Sequence, residues 1–98
     1  MFDKKLLNKK NIIVTGGGTG LGKSMASRFS ELGANLLITS RRKSVIDETA
    51  KELRKKGNKV IAIECDVRKP DQVDEMVSQT VKELGSVDIL LNLSLIHI

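Results

Sequence analysis

Four short apolar runs divide the chain: "NIIVT" at 11–15, "NLLITS" at 35–40, "KVIAIEC" at 59–65 and "VDILLN" at 87–92. None alternates apolar with polar residues. A half-buried strand would alternate, because successive side chains point to opposite faces. Continuous runs of this length therefore predict strands buried on both faces, as in a parallel sheet. The segments between them follow a helical period. Leu21, Met25, Phe29 and Leu32 recur at i, i+4, i+8 and i+11 and predict one core-facing stripe, which Gly33 stops. Ile46, Ala50 and Leu53 make a second stripe, ending near Gly57. Pro70 opens a third helix, where its missing N–H costs nothing. Val73, Met76, Val77, Val81 and Leu84 carry that stripe to Gly85. Strand and helix thus alternate with short links. Right-handed crossovers then predict an α/β fold, a doubly wound parallel sheet.

Composition narrows the class. The 98 residues leave room for one domain, and a domain this small buries only about 60–65% of its unfolded surface. A 40% hydrophobic and 30% charged chain is an ordinary globular one. The net charge is +5, but the lysines (Lys4, Lys5, Lys9, Lys10, Lys51, Lys55, Lys56) are scattered and there is no Trp or Tyr. Without a basic stripe and stacking aromatics, solvated faces are expected and no nucleic-acid partner. No apolar run is long enough for a signal peptide or a bilayer span, so the expectation is a cytoplasmic protein with no membrane partner. The single Cys65 fits a reducing compartment and, at the end of an apolar run, reads as a small buried hydrophobe.

The chemistry is concentrated in "VTGGGTGLGKSMA", residues 14–26. Gly17 to Ser24 matches the P-loop pattern G-x-x-x-x-G-K-[ST]. Read from Thr15, the same letters give T-G-x-x-x-G-x-G, a dinucleotide-binding turn. Both place a strand, a Gly-rich turn and a helix N-terminus around an anion, so the loop alone leaves both open. A P-loop also requires a carboxylate for Mg²⁺ at a later strand end, a role that only Asp66 could be pressed into. Other positions favour the dinucleotide. Gly16, Gly20 and Gly22 meet its three needs: a sharp turn, close approach of pyrophosphate, and tight packing of helix on strand. About 18 residues after Gly22, where an NAD site keeps a ribose-binding acid, the chain reads Ser40-Arg41-Arg42. An arginine fork suits a 2′-phosphate.

These residues, with Asp66-Val67 after the third run and "DILLN" ending at Asn92, make the chain resemble the N-terminal half of a short-chain dehydrogenase/reductase. The resemblance spans about residues 8–92. Extended members of that superfamily carry T-G-x-x-G-x-x-G, which Thr19 excludes. The resemblance implies a Rossmann sheet, N-terminal half only, in the strand order 3-2-1-4. It implies NADP as cofactor. Gly16, Gly18, Thr19, Gly20, Leu21 and Gly22 would wrap the pyrophosphate and the adenosine ribose. Ser40 and Arg41 would receive the 2′-phosphate, Asp66 the adenine amino group and Val67 the ring face. Asn92 would begin the N-N-A-G stretch of the family. The glycine loop and "ITSRR" further resemble the 2,4-dienoyl-CoA reductase branch. Ketone reductases such as 3-oxoacyl carrier-protein reductases, and a non-catalytic NADP-binding module, are the alternatives. A small acyl-CoA or ketone substrate and a homo-oligomeric parent are the partners this implies.

After Asn92 the family pattern breaks into "LSLIHI". One reading frame of a transposase mosaic-end adapter translates as the same six residues. Residues 1–92 are therefore expected to be a truncated NADP-binding half-domain, and 93–98 adapter read-through. The family's catalytic Ser, Tyr and Lys would lie beyond position 92, so the chain is expected to hold no catalytic residue. His97 receives no catalytic or metal role.

Overall fold

The structure, a computed structural model, describes residues 6–16, 20–55 and 57–92. Seven elements follow in order: β1 (Asn11–Thr15), α1 (Gly20–Glu31), β2 (Asn35–Ser40), α2 (Lys43–Arg54), β3 (Val60–Glu64), α3 (Pro70–Leu84) and β4 (Ile89–Asn92). The strands form one parallel sheet in the order β3-β2-β1-β4. This is the expected doubly wound topology. The third and fourth strands are shorter than their apolar runs: Cys65 lies just past β3, and Val87 and Asp88 precede β4.

In-register parallel partners share a face, so the sheet has two apolar sides. The rows Ile12–Leu36–Val60 and Val14–Ile38–Ala62 pack with Ala26 of α1 and with Ile46, Ala50 and Leu53 of α2. The row Ile13–Leu37–Ile61 packs with Cys65 and with Met76, Val73 and Val77 of α3. Every residue of β1 is buried. That is why its run shows no alternation.

The face of α1 departs from expectation. Gly22, Ala26 and Ser30 are its buried residues, while Leu21 is 63% exposed and Met25, Phe29 and Leu32 are half-buried. The buried face lies one residue round from the predicted stripe. Small side chains let a helix approach the sheet closely, and a pattern drawn through large apolar letters passes beside them. Val81 of α3 is likewise exposed, whereas Thr80 is buried with its hydroxyl donating to Met76 O at 2.8 Å.

Two devices fix the N-terminal edge of the sheet. The α1–β2 link turns at Gly33, whose φ of +98° favours glycine. A Cβ there would also meet Asn8 Cα at 3.0 Å. The second device is buried Asn11. Its Nδ2 donates to Leu84 O and to Ser86 Oγ at 3.1 Å each, and its Oδ1 accepts from Asn35 Nδ2 at 3.1 Å. Its backbone N–H donates to Asp88 Oδ2 at 2.8 Å, and Asp88 N–H returns to Asn11 O at 2.9 Å.

Candidate functional site

Because all four strands run parallel, the residues that follow them meet at one edge. Gly16 follows β1, Arg41 follows β2, Asp66 comes two residues after β3, and Asn92 ends β4. The chain leaves β1 through α1 to reach β2 on one side, and β4 lies on the other. In open α/β sheets this reversal of strand order opens a crevice at the carboxyl ends.

Gly16 has φ +73°, and its N–H donates to Thr39 O at 2.7 Å, turning the chain sharply off β1. Helix α1 begins at Gly20 with φ +57° and nothing within 4 Å of where a Cβ would stand. Its first turn carries no acid, so no carboxylate of the helix itself competes for its positive end. Gly22 is buried and Leu21 exposed. Gly18 and Thr19, also expected in this loop, lie outside the described residues, as do 93–98 with His97. The Thr15 hydroxyl stands 2.7 Å from Asn92 Oδ1 and 3.4 Å from Leu91 O, which ties β1 to β4 at the crevice. Lys23, the lysine that a P-loop would aim at phosphates, pairs instead with Glu52 of α2 at 2.8 Å and lowers the Glu52 pKa.

At the end of β2, Ser40 Oγ accepts the Arg42 N–H at 3.0 Å, and the exposed Arg41 and Arg42 precede α2. Arg41 lies close enough to Asp66 to act on its charge. Asp66 itself is held from several directions. Its Oδ1 accepts both the backbone N–H and Nε of Arg68 at 3.0 Å, and its Oδ2 accepts Arg68 Nη2 at 3.0 Å. Its own N–H donates to Gln72 Oε1 at 2.8 Å. The Arg68 side chain foremost, then its backbone N–H, hold the Asp66 carboxyl down to about 2 against a small opposing effect of burial. Val67 is half-buried beside it. Cys65 is buried as expected, and burial pushes its thiol up, so it stays protonated rather than becoming a nucleophile.

Sequence reasoning brought Gly16, Gly20, Gly22, Ser40, Arg41, Asp66, Val67 and Asn92 to this edge and missed Arg68 and Gln72. The signal for Arg68 was its place two residues after an aspartate, where backbone N–H and side chain can both return to one carboxylate. Among the described residues no group of three His, Cys, Asp or Glu could hold a metal ion, and no helix is long and apolar enough to cross a membrane.

A family model described as short chain dehydrogenase matches residues 10–94. The chain is 36% identical over 86 residues to a probable 2,4-dienoyl-CoA reductase, (2E)-enoyl-CoA-producing, of Bacillus subtilis (strain 168), covering 88% of this chain and 34% of that protein. It is 40% identical over 91 residues to the peroxisomal 2,4-dienoyl-CoA reductase, (3E)-enoyl-CoA-producing, of Arabidopsis thaliana, covering 93% and 30%. Among solved structures, a citronellol catabolism dehydrogenase of Pseudomonas aeruginosa PAO1 superposes with a TM-score of 0.87 at 32% identity, covering 92% of this chain and 38% of that one. The chain spans about a third of the length of the curated relatives it matches.

Proposed function

This chain belongs to the short-chain dehydrogenase family of oxidoreductases, whose members use nicotinamide cofactors, and from that premise we propose that it is the NADPH-binding part of a reductase acting on a 2,4-dienoyl-CoA or a closely related enoyl thioester. The observation that carries the cofactor choice is the end of β2. An exposed arginine, Arg41, stands there beside Ser40, and no carboxylate occupies the position from which one would repel a 2′-phosphate. A guanidinium binds phosphate oxygens as a planar fork.

The residues fit a dinucleotide. Gly16 and Gly20 adopt backbone angles that admit close approach of a pyrophosphate, and the start of α1 offers N–H groups to it. Ser40 and Arg41 would hold the 2′-phosphate and Asp66 the adenine amine, with Val67 on the ring. Asn92 and Thr15 close the floor where the nicotinamide half would lie. When bound, the cofactor supplies a hydride, and these residues orient it and keep water from its face. The thioester substrate rests on the likeness to the two dienoyl-CoA reductases.

Titrating the chain with NADPH and NADH by cofactor fluorescence tests the first part. NADPH is expected to bind more tightly, and Arg41→Ala to weaken NADPH by about tenfold to a hundredfold, the scale of a lost charge-assisted hydrogen bond, with NADH nearly unchanged. Equal losses for both would assign Arg41 to the fold. Following NADPH oxidation in the protein that carries this chain tests the second part. Turnover of a 3-oxoacyl or diketone substrate, with none of the dienoyl thioester, would replace the substrate class.

A further inference from the structure

The link from β2 into α2 reads Arg41-Arg42-Lys43-Ser44-Val45. Its first four residues are exposed and Val45 is half-buried. Ser44 is the one serine or threonine of the sequence with arginines both two and three residues before it. Ser30 also follows an arginine, Arg28, by two residues, but it is buried at 1% exposure. The helix start around Ser44 is weakly held. Arg42, the residue before it, is non-helical at φ −110° and ψ 87° and gives no side-chain cap, and the first turn holds no acid. Lys43 reaches Asp47 at 3.2 Å, but both side chains are at least half exposed, and such surface pairs contribute little. Ile46 is fully buried and anchors the helix from there on. Unwinding Lys43 to Val45 therefore exposes little apolar surface, and a helix end without a cap opens at low cost.

We propose that Ser44 is a phosphorylation site for a serine kinase that selects basic substrates, and that its phosphate competes with the 2′-phosphate of NADPH for Arg41. The first half rests on the motif and its exposure, the second on the cofactor reading given above. Carboxylates in a kinase groove take guanidinium groups through paired hydrogen bonds, so two arginines at fixed offsets set the register of the hydroxyl that follows. In the transfer, Ser44 Oγ attacks the γ-phosphorus of MgATP. The bond from that phosphorus to the β–γ bridging oxygen breaks, ADP leaves with the electron pair, and the hydroxyl proton passes to the catalytic aspartate of the kinase. The product carries about −1.5 to −2 charges at pH 7 and three acceptor oxygens. It stands in the first turn of α2, where the helix dipole favours an anion and the chain supplies none of its own. Arg41, Arg42 and Lys43 are the cations beside it in the chain. The modification thus fastens the helix start with the same guanidinium that a 2′-phosphate needs, and it repels that phosphate as a like charge. A dinucleotide without a 2′-phosphate loses nothing by it.

The test incubates the 98-residue chain with MgATP and the catalytic subunit of cAMP-dependent protein kinase, a kinase of this specificity, beside a peptide of residues 39–47. Intact mass should show one phosphate, tandem mass spectrometry should place it on Ser44, and Ser44→Ala should take none. Arg42→Ala should slow the transfer by about tenfold, the scale of a lost charge-assisted hydrogen bond. The phosphorylated chain should then bind NADPH about tenfold more weakly than the unmodified one, with NADH changed by less than about twofold. Ser44→Ala without phosphate should bind both cofactors as the unaltered chain does. A peptide that is phosphorylated while the folded chain is not overturns the site. Phosphorylation that leaves NADPH binding alone, while Arg41→Ala weakens it, overturns the competition and spares the cofactor reading. Phosphorylation and Arg41→Ala both without effect on NADPH overturn the competition and the reading of Arg41 together. Equal weakening of NADPH and NADH by the phosphate overturns the competition in favour of a disturbed α2, which circular dichroism would register.

Discussion

Asp66 links the acidity of the medium to the stability of the fold. Its pKa is lowered to about 2 in the folded chain, chiefly by the Arg68 side chain, from an ordinary value near 3.8. A group whose folded pKa is depressed stabilises the native state above its unfolded value, and the contribution fades as pH falls through the folded one. The stability advantage of the parent chain over Arg68→Gln should therefore be level above about pH 5 and decline between about pH 4 and pH 2. Urea midpoints measured for both proteins across that range check this. An advantage that persists undiminished at pH 2 would mean that Arg68 stabilises by packing its aliphatic stem. Arg41 belongs to the same scale, but the contribution proposed for it is to ligand affinity, which the fluorescence titration reads.

At the scale of elements, the links carry as much of the fold as the strands. Gly33→Ala combines an unfavourable positive φ with a Cβ 3.0 Å from Asn8 Cα. It should destabilise by about 1–3 kcal/mol, measured by chemical denaturation. The same element shows what a sequence conveys and what it hides. β1 and β2 were legible because continuous apolar letters such as "NIIVT" admit few readings other than a strand covered on both faces. The order of strands followed from alternation and handedness. The buried face of α1 was not legible from periodicity. Leu21 outweighs Gly22 on any hydrophobicity scale, yet close approach to the sheet selects the smaller residue. The meeting of Gly16, Gly20, Arg41 and Asp66 at one edge of the sheet was legible because their offsets from strand ends are set by backbone geometry. Arg68 was not, because its role depends on which way one side chain folds back, and spacing alone does not encode that.

Across the whole molecule, burial is uneven. β1 is covered on every side, whereas β4 at the sheet's edge leaves Leu90 52% exposed, with Ile89 also exposed. An apolar edge with open backbone groups is a template for pairing with another chain. Leu90→Lys should reduce concentration-dependent self-association in analytical ultracentrifugation while changing stability by no more than about 0.5 kcal/mol. An undiminished tendency to associate would place the adhesive surface elsewhere. The Asn11 cluster gives the molecule an order in time. β1 meets β2 across a separation of 24 residues, but Asn11 reaches Ser86 and Asp88 only across 75 and 77. Closing the longer loop loses more chain entropy, so the contacts of Asn11 with Ser86 and Asp88 form after the β1–β2 pairing has been made. Interactions absent from the folding transition state govern escape from the native state rather than arrival at it. In stopped-flow experiments Asp88→Ala, which removes the acceptor of the Asn11 N–H and leaves the β1–β2 contacts in place, should thus raise the rate of unfolding and scarcely alter the rate of refolding, making this contact a late-fastening latch that sets how long the folded chain lasts.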